Sequence, residues 1–130
     1  MAGSFSDYLE DKLLKHAFTN TAYTPATTLY VALYTAAPTD AGGGTQITGN
    51  GYARVSVAFT VSGTTTAATN SAAVEFAAAT ASWGTVVAVG IFDASTSGNL
   101  LAWADLTTSK TIDTGDIFRI PAGDLDITLS

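Results

Sequence analysis

Three features of the 130-residue sequence predict a mainly β protein, an antiparallel β-sandwich or barrel preceded by one N-terminal α-helix. From Leu29 onward, apolar residues recur at every second position, which is the period of a half-buried strand. Clusters of Gly, Pro, Asn, Asp and Ser interrupt those runs often enough for about seven short strands. No stretch alternates strand with helix, which argues against a parallel α/β sheet. The length fits a single domain, 1–130, with residues 1–20 as a helical arm and 27–130 as the β domain.

The elements follow in order. Phe5, Leu9 and Leu13 repeat at i, i+4 and i+8, so in a helix they share one stripe. Ser4 or Ser6 supplies a cap. Asp7, Glu10 and Asp11 lie early, and Lys12, Lys15 and His16 lie late, both favourably placed in the helix dipole. Asn20 and the Thr-rich stretch up to Pro25 end the helix. Leu29–Tyr34 is β-prone and is followed by Pro38. Asp40–Thr45, with Gly42, Gly43 and Gly44, reads as a flexible loop. Val55, Val57, Phe59 and Val61 alternate with polar or small residues as one strand, and Ser62–Asn70 reads as a turn region. Ala72, Val74 and Phe76 alternate next. Thr85–Phe92 is apolar on both faces and belongs in the centre of a sheet. Leu100–Leu106 returns as its hairpin partner, Lys110–Ile112 is a short separate strand, and Ile117, Phe118 and Ile120 follow a turn. Leu125, Ile127 and Leu129 alternate as the last strand.

Composition narrows the function. Hydrophobic residues make up 47% and charged residues 12%, the reverse of a disordered chain. The net charge of −6 argues against nucleic acid as a partner, because that needs Lys and Arg to displace counterions. The absence of Cys excludes a disulfide framework and thiolate metal sites. No apolar run reaches the roughly 18 residues of a membrane span, so no membrane partner is expected. The Met1 segment lacks a basic region followed by an apolar stretch, so no signal peptide is expected.

Catalytic, cofactor and metal sites are not expected. His16 has no nucleophile and orienting carboxylate beside it and reads as a helix-end residue. Asp124 and Asp126 share a strand face, but solvent-side acids also protect a sheet edge. Gly42–Gly44 has neither the Lys-Ser/Thr nor the following helix of a phosphate loop. The aromatic candidates for a contact surface are Tyr30, Tyr34, Trp83 and Trp103; such rings can stack on sugars or bases, but with no basic track for nucleic acid the expectation is coverage by protein, this chain or a neighbour. The candidate protein interface is therefore Phe5, Leu9 and Leu13 on the arm, Tyr30, Tyr34 and Trp103 on the sheet, and the loop Gly42, Gly43 and Gly44.

Several blocks taken in order carry a resemblance. They are Ser6-Asp7-Tyr8-Leu9-Glu10 with Lys12-Leu13-Leu14, Leu29–Thr35, Pro38–Thr45, Gly51-Tyr52-Ala53-Arg54, Gly90–Ala94, Gly98–Leu101 and Ala122–Leu129. Together they resemble a family of small structural proteins of tailed bacteriophages, described as tail-fibre-like or head-decoration proteins. The resemblance implies a virion component without catalytic residues. On this reading the first expectation is a capsid decoration, or cement, protein on the outer surface of the head. Its partners would be the major capsid protein or another virion protein, and sister copies in a homotrimer. The alternative is a tail-fibre or tail-tip module that binds a host receptor. An enzyme such as a wall hydrolase would need an acid–base pair or metal centre that the sequence does not offer.

Overall fold

A computed structural model describes residues 3–61 and 67–128. Its secondary structure runs β1 (Gly3–Phe5), α1 (Asp7–Phe18), β2 (Leu29–Ala36), β3 (Thr45–Gln46), β4 (Val55–Val57), β5 (Phe59–Thr60), β6 (Ala67–Asn70), β7 (Val74–Glu75), β8 (Gly84–Phe92), β9 (Leu100–Ile112), β10 (Arg119–Ile120) and β11 (Asp126–Thr128). The expected class, mainly β with one helix near the N-terminus, is therefore the observed one. The strands are more numerous than expected because several are only two or three residues long.

One sheet dominates. Its order is β1-β9-β8-β2-β3, with β4 also paired to β2, and every pairing is antiparallel. As expected, β8 lies between two neighbours, since Val, Ala and Gly along it suit a strand covered on both faces. Two small sheets, β10-β7 and β11-β6-β5, form a second layer, giving a sandwich-like arrangement. Val31, Leu33, Val86, Val89 and Ile91 of the large sheet are buried in one core with Val74, Phe76, Phe118, Ile120 and Leu125 from the facing segments. Phe76 and Trp83 are buried in this core and half-buried Tyr52 packs against them, with Tyr52 and Phe76 stacked at 6.0 Å and Trp83 edge-on to both. Trp83 is thus a core residue and not a surface aromatic. Its indole Nε1–H donates to the Asn50 carbonyl at 2.9 Å, which satisfies the one polar atom that burial would orphan.

Several expected boundaries are corrected. Phe5 is not helical. It lies in β1 opposite Ala102, and it lines a gap of about 70 Å³ together with Ile91, Leu125 and Ile127. Sheet pairing therefore begins before the helix, and the helix spans Asp7–Phe18 instead of the whole 1–20 arm. The single strand expected over 55–61 is split: β4 joins the large sheet through β2, and β5 joins the small sheet through β6. Residues 67–70, expected within a turn region, form a strand, while Ser62–Thr66 and Leu129 lie outside the described residues. Leu100–Leu106 and Lys110–Ile112 are one continuous strand, whose pairing with β8 shifts register between Val86 and Ala88. A bulge of this kind preserves the strand while breaking the strict period of two on which the sequence expectation rests.

Asn70 closes the second layer. It is 2% exposed, and all its side-chain hydrogen-bonding groups are used. Its Nδ2 donates to the carbonyls of Ala72 and Pro121, and its Oδ1 accepts from the N–H groups of Gly123 and Leu125, at 2.9–3.0 Å. A buried amide is tolerated there because Ala72, just after β6, and the 121–125 turn supply every partner it needs.

Candidate functional site

The second face of the large sheet is built on small residues. Ala32, Gly90 and Trp103 lie across from one another on β2, β8 and β9, and Tyr34 lies opposite Ala88. The small rungs leave room for rings. A Cβ on Gly90 would fall 2.9 Å from the Tyr34 ring and 3.0 Å from Leu100. Tyr34 and Phe92 are therefore buried in a second, smaller cluster with Ala32 and Ala88, with Val87 and Leu100 packed against it. Arg54 covers Phe92, with its guanidinium carbon 3.7 Å from the ring centre. The same guanidinium donates to Gln46 Oε1 and to the Ala94 and Ser97 carbonyls at 2.8–2.9 Å. Tyr34 is thus covered by its own chain, and Tyr30 is half-buried in the same sheet. Burial pushes the Tyr34 hydroxyl above its ordinary pKa, against an opposing pull from Arg54.

Trp103 serves as a strut. Its Nε1–H donates to Asp40 Oδ1 at 2.9 Å, and the Asp40 carbonyl accepts from the Asp7 N–H at 2.8 Å. One residue of the glycine-loop segment therefore links β9 to the first turn of α1. The loop is tied down where the sequence predicted flexibility. Thr39 and Gly42 exchange backbone hydrogen bonds at 2.8 and 2.9 Å, and Gly42, Gly43 and Gly44 all have positive φ. Gly44 is required there, since a Cβ would fall 2.7 Å from the Ala36 carbonyl oxygen.

The loop, the start of α1 and the Gly98–Leu100 segment enclose a cleft of about 610 Å³, with Tyr34, Phe92 and Leu100 in its lining. At this end Asp7, Glu10 and Asp40 bring their carboxylates within 4.8 Å of one another. This cluster has no signature in the sequence, because the rest of the helix and all of β2 lie between Glu10 and Asp40. Asp7 and Glu10 belong to the first turn of α1, where the helix dipole favours negative charge.

The root of α1 is firmly held. Ser6 is 2% exposed. Its N–H donates to the Leu101 carbonyl at 2.8 Å, its hydroxyl donates to the Leu100 carbonyl, and its Oγ caps the helix by accepting from the Leu9 N–H at 3.2 Å. Ser6, and not Ser4, is thus the cap. The other end is closed as well. The Lys15 carbonyl accepts from the N–H groups of Thr19 and Thr21 and from the Thr19 hydroxyl, and Asn20 turns the chain at φ +57°. His16 places Nδ1 3.1 Å from the Thr21 carbonyl oxygen, a helix-end role as expected.

Between these two ends, none of the helix's residues is buried. Leu9 and Leu13 are only half-covered, and Leu14 and Phe18 are 58% and 81% exposed. Leu14 and Phe18 are one turn apart and form an apolar strip on the distal half of the helix. This pair, and not the expected Leu9 and Leu13, is the most exposed apolar part of the helix, and its i, i+4 spacing is readable in the sequence.

The structure is thus a mainly β body carrying one helix that is fixed at its root and exposes Leu14 and Phe18 along its distal half. Residues 4–128 match the family described as Podophage GP4 fiber I protein gp80, and the chain belongs to that family. No curated protein matches it significantly. The family is a structural component of the virion, as the resemblance implied, and its description names a fibre.

Proposed function

We propose that this protein is a structural subunit of a phage fibre, and that α1 is the element by which it engages other proteins of the virion. The observation that carries the reading is the helix itself: capped at both ends, clamped at Ser6, and exposing Leu14 and Phe18. A helix of 12 residues is about 18 Å long and gains little stability alone. A helix that fully buries none of its side chains in its own domain and exposes a large aromatic one is suited to burial against a partner. The family description favours the fibre over head decoration, the reverse of the order given by the sequence analysis. For direct sugar binding the aromatic face is poorly placed, because Arg54 and the sheet already cover Phe92 and Tyr34.

Copy number tests the reading. A fibre offers few positions, whereas a head shell offers hundreds of equivalent ones. Quantitative mass spectrometry of purified virions is expected to find the protein in numbers comparable to other tail proteins. Several hundred copies per particle, with a less heat-stable head in their absence, would instead support decoration of the shell.

A further inference from the structure

We propose that the distal half of α1 docks head-to-tail on the turn at Asp113–Ile117 of a second copy of this chain. The inference rests on the reading of α1 as a contact element and names its partner.

The two surfaces match in kind. Beyond Asp11, α1 carries Lys12, Lys15 and His16 and no acid, alongside the exposed Leu14 and Phe18; Lys15 is ion-paired with Asp11 at 3.0 Å and Lys12 lies 5.5 Å over the Tyr8 ring, both exposed contacts weak enough for a partner's carboxylate to share or replace. The turn carries exposed Asp113 and Asp116 next to Ile117, which is 52% exposed, with Lys110 as the cation that precedes it. Ile117 has apolar company. The bonds from the Ala79 N–H to the Asp116 carbonyl and from the Phe76 N–H to the Phe118 carbonyl flank it, so Ile117 lies opposite exposed Ala77 and Ala78. Apolar strip thus meets apolar strip, and cations meet carboxylates. Val61 is also an exposed large apolar residue, but residues 55–61 contain no acid to receive the lysines.

The root of α1 and the turn also sit at opposite ends of the body. The helix is rooted on Leu100 and Leu101, at the end of the β8–β9 hairpin where Phe92 pairs with Leu100. The turn follows Ile112, which pairs with Gly84 at the other end. Nine residues of β8 separate these ends by about 30 Å. Two different patches define a heterologous contact, which propagates from copy to copy until it closes into a ring or runs on as a filament. The homotrimer expected from the sequence would be a ring of three built by this contact.

Complementation between two variants of the full chain is the test. Phe18→Ser removes the donor surface and leaves the acceptor, while Ile117→Ser does the reverse. Both positions are exposed, and circular dichroism should show both variants folded. In sedimentation velocity the unmodified chain should associate with rising concentration up to hundreds of micromolar. Each variant alone should remain monomeric, and an equimolar mixture should give a capped 1:1 dimer. An unmodified chain that stays monomeric throughout would overturn the proposal, as would Ile117→Ser associating like the unmodified chain. A mixture that stays monomeric while the unmodified chain associates would also overturn it, since an intact helix and an intact turn would then be present together without pairing. Incorporation of Phe18→Ser into virions separates this inference from the reading beneath it. A monomeric unmodified chain together with loss of Phe18→Ser from particles would mean that α1 docks on a different virion protein. Normal incorporation and normal fibres would remove the contact role of α1 altogether.

Discussion

Replacing Asn70 by alanine tests whether one buried amide holds the second layer together. Four side-chain hydrogen bonds are lost, to Ala72, Pro121, Gly123 and Leu125. At about 1 kcal/mol net for each bond, the ceiling is roughly 4 kcal/mol. Ala72, Pro121 and Gly123 are exposed residues that water can reach, whereas Leu125 is buried, so about 3 kcal/mol is the expected loss. For a chain of this length the unfolding entropy, roughly 0.27 kcal/mol/K, turns that loss into a fall in Tm of about 11 °C. Urea unfolding followed by Trp fluorescence measures the free energy, and calorimetry measures Tm. Ser71→Ala is the control. It removes one 3.3 Å bond from an exposed hydroxyl to the Ala58 carbonyl and should change stability by less than about 0.5 kcal/mol. Amide exchange at Leu125 should also quicken in Asn70→Ala, whereas the Gly123 N–H keeps its 3.0 Å bond to the main-chain carbonyl of residue 70. A loss below about 1 kcal/mol, with exchange at Leu125 unchanged, would refute the reasoning, because the bonds would then contribute no more than surface contacts do.

Alkaline pH and Arg54 provide two further expectations. Burial pushes the Tyr52 hydroxyl up to about 12, against the Leu33 N–H that it accepts and the pull of Arg54, and Tyr34 and Tyr23 are also raised, mainly by burial. The unfolded chain loses these protons first, near pH 10, so stability should be level below that pH and fall as pH rises from about 10 to about 12. Absorbance titration should show these tyrosines ionising late in the native protein and near pH 10 in urea. Arg54→Lys keeps the charge but loses the planar stack on Phe92 and the fork of bonds to Gln46, Ala94 and Ser97. It should lower stability by about 1–3 kcal/mol in urea unfolding, whereas recovery to the unmodified value would show that charge alone suffices.

The period of two made the large sheet legible. β2 and β8 are readable because Val, Leu, Ile and Tyr alternate with small residues along them, and the all-round apolar character of β8 marks it as central. The short strands of the second layer were harder, because pairs such as Val74–Glu75 and Arg119–Ile120 are too brief to show a period. Their positions depend on distant partners such as Asn70. Phe5 misled for a related reason. Its spacing to Leu9 and Leu13 fits a helix, but Ser6 bonds to the Leu100 and Leu101 carbonyls and starts the helix one residue later. Backbone pairing across nearly a hundred residues leaves no local signature. At the candidate site, the tethering of Asp40 to Trp103 and Asp7 was likewise hidden, whereas the exposed Leu14 and Phe18 pair was written in the spacing of the helix.

The central claim concerns where the protein sits and what it does there. Gold-labelled antibody against the β body, imaged on intact virions by electron microscopy, tests it most directly. Label confined to the fibres, and lost from particles carrying Phe18→Ser, is the predicted result. Label spread evenly over the head, or retained unchanged on the Phe18→Ser particles, would contradict it.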